Sequence, residues 1–205
     1  MPTIWGRANS ANVKKVLWIA EELGLPYERI DAGGAFGGLD TPAYRAMNPM
    51  SLVPVLQDGD LTLFESNVIV RYLAATYGDG ALWPADPAAR ATAEIWMDWN
   101  HTVGFTMRDA IFGLLRTPPE KRDPAAIERS VTETARLVAM ADAALTKTPW
   151  LSGAAFGLGD IPFGAYVHTW LALPIAHADH PALSDWYARL RRRPAYAKVV
   201  AIPVT

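Results

Sequence analysis

The sequence predicts a two-part protein, an α/β domain with a four-stranded mixed sheet followed by an all-α domain. Short strand-like runs alternate with helical patterns over the first 80 residues. A proline-containing break follows at Leu82–Pro87, and strand signals nearly vanish after it. We therefore expect the α/β domain at 1–80, a linker at 81–86 and the helical domain at 87–205.

The α/β domain begins with the pattern of a parallel crossover unit. Thr3–Trp5 is a short apolar run that predicts the first strand. Apolar side chains then recur at helical spacing over Val13–Leu23, and Gly24 and Pro26 are placed to end that helix. Tyr27–Ile30 predicts the second strand, so strand, helix and strand form a right-handed unit.

The remainder of this domain predicts a short helix, a hairpin and a third helix. The helix covers Pro42–Met47, and the hairpin joins Val53–Leu56 to Leu61–Phe64 through the turn residues Gln57–Asp60. Apolar side chains over Val68–Leu73 give the last helical face. The order βαβ–ββα fits a four-stranded mixed sheet with helices packed on it.

Four helical patterns make up the second domain. They cover about 88–115, 124–145, 160–171 and 181–192, with Pro118–Pro119 between the first two. We find no internal repeat and no low-complexity tract.

Composition and charge exclude several classes of function. The sequence is 51% hydrophobic and 20% charged with a formal net charge of −2, so nucleic acid or an anionic membrane is not an expected partner. It holds no cysteine, which excludes disulfides, thiolate metal sites and cysteine nucleophiles. The four histidines lack metal-ligand spacing, so no metal is expected. The start lacks the pattern of a signal peptide, and we expect a cytoplasmic location.

Ser10 and Asn12 lie at the N-terminus of the first predicted helix, where free backbone N–H groups favour an anion. Lowering the pKa of a thiol by two units from about 8.5 requires roughly 2.7 kcal/mol of preferential stabilisation of the thiolate. One charge-assisted hydrogen bond contributes about 1.5–3 kcal/mol and a helix end up to about 1 kcal/mol. A serine here can therefore activate a thiol. The alternative is that Ser10 only caps the helix.

Two further features follow in the α/β domain. Val53–Pro54 starts a strand, and a cis bond there would turn the Val53 backbone toward a ligand. Glu65 and Ser66 lie between a strand and a helix, where Ser66 either caps the helix or forms a second anion site. A ligand with an α-amino-acid end and a thiol would fit both anion sites.

These three features, in this order, resemble the cytosolic glutathione transferases, and in particular the bacterial serine-type members of theta-, phi- or nu-like kind. The resemblance covers nearly the whole chain and implies a thioredoxin-like N-terminal domain followed by an all-α C-terminal domain. The residues that carry it are Asn9–Leu17, Asn48–Leu56, Phe64–Asn67, Leu82–Pro84, Gly159–Ile161 and Trp186–Leu190.

The resemblance implies roles for the residues around the thiol. Ser10 matches the serine that stabilises the glutathione thiolate, and Val53 matches the residue before the cis-proline, here Pro54, whose backbone pairs with the cysteinyl unit. Asn12 matches a thiol-contacting asparagine of a bacterial subgroup noted for disulfide-bond reductase activity. That subgroup has a threonine where this chain has Ser10.

The resemblance also implies roles at the two ends of glutathione. Glu65 and Ser66 match the pair that binds the γ-glutamyl end, and Leu52 belongs to the same binding set. Many relatives bind the glycine carboxylate with a lysine, histidine or glutamine near Leu52 or in the loop around residues 36–39. That loop is apolar and glycine-rich here, so the sequence does not identify the residue for this role. Asp160 matches a helix-capping aspartate, although its usual serine or threonine partner is replaced by Gly157.

We expect the second substrate, a small hydrophobic electrophile, where the two domains meet. The candidates are Arg7, Phe105, Arg108 and Phe112, since aromatic rings with one or two polar groups suit such a pocket. The alternative is that the three on the long helix are core or dimer-interface residues. Trp96 and Trp99 are expected in the core.

The sequence thus predicts a detoxifying glutathione transferase that conjugates the glutathione thiolate to small hydrophobic electrophiles, with glutathione as co-substrate. Two alternatives stay open: a glutathione-dependent disulfide or peroxide reductase, and a non-catalytic glutathione-binding scaffold. A homodimer is expected from the resemblance and because two-fold dimers are the commonest oligomers.

Overall fold

The computed structural model describes residues 1–204, which divide into two compact units. The first unit comprises Met1–Ala85 together with Ala195–Ile202, and the second is built on Asp86–Pro194. The sequence placed all of 87–205 in the helical domain, but residues 195–202 group instead with the α/β unit. Their contacts with the first helix, described below, are the physical reason.

The sheet of the first unit has four strands, β1 (Thr3–Trp5), β2 (Glu28–Ile30), β3 (Val55–Asp58) and β4 (Leu61–Phe64). Their spatial order is β2-β1-β3-β4. β1 runs parallel to β2 and antiparallel to β3, which forms a hairpin with β4. The predicted mixed sheet is confirmed, and β3 begins at Val55 because Pro54 has no N–H for the ladder.

Three helices of the first unit are α1 (Ala11–Glu22), α2 (Pro42–Met47) and α3 (Ser66–Tyr77). α1 packs against α3 and is buried at every residue from Val13 to Ala20. The C-terminal segment covers α1 as well: the Trp18 and Tyr196 rings meet edge to face with centroids 4.8 Å apart, and the Lys14 ammonium donates to the Val200 carbonyl at 3.0 Å. A helix buried on all sides needs such covers.

The remaining helices are α4 (Pro87–Thr106), α5 (Arg108–Ile111), α6 (Pro124–Leu145), α7 (Asp160–Ala172), α8 (Pro181–Arg191) and α9 (Pro194–Val199). The core of the second unit is aromatic: Phe163 of α7 stacks on Trp186 at 5.6 Å and meets Trp99 edge to face at 5.1 Å. None of the helices within residues 1–204 combines the length and the apolarity that crossing a bilayer requires.

The continuous helix predicted at 88–115 is wrong, because α4 ends at Thr106 and one π-helical turn (Phe112–Arg116) follows α5. The break comes from Ser130 of α6. Its hydroxyl donates to the Thr106 carbonyl and accepts the Ala110 N–H at 3.0 Å, so it stands between the two groups that would pair in a helix. A side chain inserted into the helical ladder is a recognised cause of such breaks.

Asp160, at the start of α7, is completely buried and holds several donors at once. Its carboxylate accepts the backbone N–H groups of Leu151 at 2.9 Å and Gly157 at 3.1 Å, and the Trp186 indole N–H at 2.8 Å. Burial raises the pKa of Asp160, and these hydrogen bonds oppose that shift.

Ser152 compensates for the hydroxyl that Gly157 lacks. A Cβ at Gly157 would lie 3.0 Å from the Ser152 Oγ, so Ser152 fills the place of a side chain there. The same hydroxyl accepts the Gly159 N–H at 2.9 Å. A hydroxyl from another position thus satisfies a backbone donor just before α7.

Asp160→Ala is expected to lower the free energy of unfolding by at least about 3 kcal/mol, because buried donors lose their acceptor at about 1–3 kcal/mol each. Denaturant titration measures this. The matched control is Asp123→Ala, which removes one bond, to the Ala126 N–H at an exposed helix start, and should cost about 1 kcal/mol. Equal losses in the two variants would contradict this role of Asp160.

Candidate glutathione site

Ser10 occupies the N-cap position of α1 but does not use its hydroxyl as a cap. Its backbone is extended, with φ −81° and ψ 126°, and its carbonyl accepts the Lys14 N–H at 2.9 Å. The side chain makes no capping hydrogen bond and is 9% exposed. The interpretation of Ser10 as only a helix cap is therefore wrong for its side chain, because the hydroxyl makes no capping bond at this helix N-terminus.

Gly6 lets the loop before α1 approach the loop that contains Val53. A Cβ at Gly6 would lie 2.5 Å from the Val13 Cγ2 and 3.3 Å from the Val53 Cβ, and its φ of 151° is one that other residues rarely adopt. Only glycine fits there. The Val53–Pro54 peptide bond is cis, as the resemblance implied.

Hydrogen bonds to the Leu52 carbonyl fix the turn before this cis peptide bond. The Tyr44 hydroxyl donates to that carbonyl at 2.9 Å, and the Asn48 side-chain amide donates to it at 2.8 Å. The Leu52 side chain is 57% exposed, so its backbone rather than its side chain is held. These two hydrogen bonds therefore fix the backbone that leads into Val53.

Glu65 and Ser66 begin α3 in an unusual backbone conformation. Glu65 has a φ of 70°, which is uncommon for a residue other than glycine and costs on the order of 1–3 kcal/mol. Its side chain is exposed, whereas Ser66, the first residue of α3, is buried. Glu65 is the N-cap residue, so Ser66 is not the cap of this helix.

Ser66 links the starts of the two helices. Its hydroxyl donates to the Asn12 Oδ1 at 3.4 Å, which joins α3 to the first turn of α1. Asn12 and Ser66 are thus brought together. Ser10 is the N-cap residue of the same helix, directly before its first residue, Ala11. Two helix N-termini, each with a serine, thus lie in this part of the first unit, and helix N-termini favour anions in general.

Lys15 is a residue of this site that the sequence interpretation missed. It is 2% exposed, and its ammonium donates to the Ser66 Oγ at 3.4 Å and to the Asn67 Oδ1 at 3.3 Å. Burial lowers the pKa of Lys15 to about 7, and the charge of Glu65 opposes that shift. The available signal was two consecutive lysines inside the most apolar stretch of α1.

Arg7 lies in the first unit against the glycine-rich loop. A Cβ at Gly34 would lie 2.7 Å from the Arg7 Nε, and the φ of Gly34 is +60°, so glycine is required for both reasons. The Arg7 guanidinium also donates to the Asn9 side chain at 3.3 Å. Arg7 therefore forms one surface with this loop.

The other three candidates for the electrophile site belong to the second unit. The Phe112 ring has the Arg108 guanidinium carbon 5.7 Å from its centroid and that of Arg116 at 4.8 Å. Arg108 and Phe112 are therefore neighbours. Phe105 is 80% exposed and lines a separate groove of about 170 Å³ with residues of α6. Within residues 1–204, no group of three or more metal-ligating side chains comes together.

Comparison with known proteins identifies the family. Residues 9–76 match the family model described as glutathione S-transferase, N-terminal domain, and residues 105–194 match the corresponding C-terminal domain. Glutathione S-transferase GstB of Escherichia coli K12 is 51% identical, and the alignment covers all of both chains. The chain belongs to the glutathione S-transferase family. As a member it has the fold that the resemblance implied.

Two other relatives of this glutathione S-transferase bear on its chemistry. A theta-class glutathione S-transferase of Xanthomonas axonopodis pv. citri, solved with glutathione bound, has a TM-score of 0.97 and 53% identity over 100% of this chain and 99% of that one. Disulfide-bond oxidoreductase YfcG of Escherichia coli K12 is 30% identical over 92% of this chain and 89% of that protein.

Lys15→Met should change the pH dependence of this transferase's stability. Below pH 7 the buried ammonium is charged in the folded and unfolded states, so its full desolvation cost is present. Above pH 7 the folded protein loses this proton first and the cost is relieved as pH approaches 10.5, so the stability gained by Lys15→Met should shrink over that window.

Denaturant titrations at several pH values measure this difference. Burial lowers the pKa of Lys14 to about 8, so the matched variant Lys14→Met should show the same decline starting about one pH unit higher. A stability difference between Lys15→Met and wild type that does not vary from pH 7 to 10 would contradict a charged, buried Lys15.

Proposed function

We propose that this chain catalyses the conjugation of the glutathione thiolate to small hydrophobic electrophiles. The observation that carries the proposal is the unused hydroxyl of Ser10 at the N-terminus of α1. The loop of the cis Val53–Pro54 peptide approaches the same end of the sheet through Gly6. A thiol placed there would meet a hydroxyl donor and a helix N-terminus together.

The residues of the first unit suit the rest of glutathione as well. The Val53 backbone is presented from a turn held by Tyr44 and Asn48, which suits pairing with the cysteinyl unit. Glu65 would face the amine of the γ-glutamyl end, and Ser66 with the N–H groups of α3 would face its carboxylate. The bound glutathione of the Xanthomonas relative supports this assignment.

Thiolate stabilisation and proximity supply the expected acceleration. Ser10 and the helix end together can contribute about 2–4 kcal/mol to the ionised thiol. Holding the thiolate and an electrophile in contact orientation adds to this, because a bimolecular step becomes effectively unimolecular. We keep Arg7, Phe105, Arg108 and Phe112 as candidates for contacts with the electrophile.

Ser10→Ala is expected to lower the turnover of a chloronitrobenzene-type substrate at least about 100-fold, as loss of an oxyanion-type donor does. It should also raise the pKa of enzyme-bound glutathione toward that of the free thiol, which thiolate absorbance against pH measures. Because no capping bond is lost, stability should stay within about 0.5 kcal/mol of wild type.

Thr41→Ala is the matched control, since the Thr41 hydroxyl does cap α2 by accepting the Tyr44 N–H at 3.2 Å. It should cost about 1 kcal/mol of stability and leave turnover unchanged. If Ser10→Ala instead behaves like Thr41→Ala, the serine mechanism is excluded. If wild type binds glutathione with an unshifted thiol pKa, the scaffold alternative replaces the enzyme.

A second candidate function is glutathione-dependent reduction of disulfides. The hydrogen bond between Ser66 and Asn12 supports a role for Asn12 near the thiol, and the 30% identical relative is named a disulfide-bond oxidoreductase. Because the sequence holds no cysteine, any mixed disulfide would join glutathione to the substrate and never to the protein.

Hydroxyethyl disulfide with glutathione tests this second function. If reduction uses Asn12, Asn12→Ala should lower the reductase rate at least about tenfold, the effect of losing one hydrogen bond to a charged group, while conjugation falls less. If the wild-type protein reduces the disulfide no faster than the uncatalysed reaction, this second function is excluded and the proposal of conjugation is unaffected.

We also keep the homodimer as part of the proposal. Apolar side chains of the helical unit stay exposed in the single chain, among them Ile95, Phe105 and Met140. Such exposure favours association with a second copy. A sedimentation mass equal to the 22.4 kDa of one chain would reject it.

A further inference from the structure

Lys15 of α1 is buried together with its charge, which costs desolvation free energy. Lys15 lies in the continuously buried stretch Val13–Ala20. Removing an ammonium from water is costly, and an apolar side chain of similar volume is often as stable or more stable at such a position. A charge retained there indicates a use for the charge.

The contacts of Lys15 fix the hydrogen-bonding direction of Ser66. An ammonium has three donors and no acceptor, so the Ser66 Oγ at 3.4 Å and the Asn67 Oδ1 at 3.3 Å must both accept from it. The hydroxyl hydrogen of Ser66 therefore points away from Lys15. In the structure it reaches the Asn12 Oδ1 at 3.4 Å. Because Lys15 occupies one acceptor position of this hydroxyl, the Ser66 hydrogen is directed to acceptors on the other side, here the Asn12 Oδ1 and, in its place, a ligand oxygen.

Building on the proposed function, we propose that Lys15 is the positioning residue of the γ-glutamyl subsite. It holds Ser66 as a donor and places a positive charge behind that hydroxyl and the N-terminus of α3. The subsite thereby selects the α-carboxylate of the ligand. Lys15 acts through Ser66 and Asn67 rather than by contact with the reacting sulfur.

The electrostatics of the subsite agree with this assignment. Glu65 is the carboxylate that acts on Lys15, and it favours the charged form. A ligand carboxylate arriving at Ser66 adds a second negative charge near the same ammonium, and an opposite charge within about 4–6 Å favours the charged form further. In the buried surroundings of Lys15 this attraction is stronger than it would be in water.

Three ligands separate the α-carboxylate from the rest of glutathione. They are glutathione itself, glutaryl-cysteinylglycine, which lacks the α-amine, and 4-aminobutyryl-cysteinylglycine, which lacks the α-carboxylate. Calorimetry gives the Kd of each for wild type and Lys15→Met. We expect Lys15→Met to raise the Kd of the two ligands that carry the α-carboxylate at least about tenfold. The Kd of the third ligand should stay within about twofold of the wild-type value.

Two further measurements separate positioning from a structural effect. At saturating glutathione the kcat of Lys15→Met should stay within about threefold of wild type while KM rises, since uniform binding is lost and Ser10 is intact. Lys15→Arg, which keeps the charge, should restore the preference for the two ligands that carry the α-carboxylate. Should Lys15→Met not fold, Lys15→Gln removes the charge with a polar side chain and undergoes the same three titrations.

Lys14→Met is the matched control. Lys14 precedes Lys15 on the same helix and is equally buried at 2%, but its ammonium donates to the Val200 carbonyl. Its affinities for all three ligands should equal those of wild type.

The outcomes distinguish this inference from the function on which it rests. Wild-type affinities in Lys15→Met, or an equal loss for all three ligands, overturns the role of Lys15 and leaves the proposed function standing. Equal effects of Lys14→Met and Lys15→Met also overturn it. Wild type that binds none of the three ligands overturns both.

Discussion

Complete burial of α1 is the constraint on which the rest of the first unit depends. The helix has no face left for solvent from Val13 to Ala20, so α3 and the C-terminal segment must cover it. Because those covers are fixed by packing and by hydrogen bonds to both lysines, the N-terminus of α1 cannot move independently of the N-terminus of α3. The two helix ends are thereby held in one arrangement, which is the preorganisation that the proposed binding of a charged tripeptide would require.

The first unit accepts local costs where it would meet glutathione. Gly6 and Glu65 adopt backbone conformations that ordinary residues avoid, and Lys15 is buried with a lowered pKa. Each of these features lowers the free energy of unfolding relative to regular backbone or to an apolar side chain at the same position. Their concentration around Ser10, Val53 and Ser66 follows the general rule that strain and buried charge persist where function needs them.

The sequence predicted elements well where their cause is local. α6 was predicted at 124–145 and has those bounds, since the Asp123 cap and Pro124 at its start are neighbours in the sequence. The break after Thr106 was missed because Ser130, 24 residues away, causes it. The grouping of residues 195–202 with the first unit depends likewise on the distant Lys14–Val200 contact.

The same distinction governs the candidate site. Spacing and resemblance singled out Ser10, Val53 and Ser66 as candidates, but residue types alone could not tell a capping hydroxyl from one that makes no capping bond, since that depends on a side-chain direction. Nor could they show that the charge of Lys15 lies beneath Ser66, because that meeting joins residues 51 positions apart. What sequence reasoning lacked was the partner of each polar group, and it is the partner that separates a structural role from a functional one.

The absence of cysteine from the sequence assigns all thiol chemistry to the ligand. The two proposed reactions, conjugation and disulfide reduction, would then share their first step, ionisation of the glutathione sulfur beside Ser10, and would differ only in whether that sulfur attacks carbon or another sulfur. A group that lowers the thiol pKa serves both reactions equally, so the glutathione site alone does not choose between them. The choice must come from groups that act on the second substrate or on its leaving atom. Asn12, which is hydrogen-bonded to Ser66 and lies two residues after Ser10, is the residue that we propose for that later step.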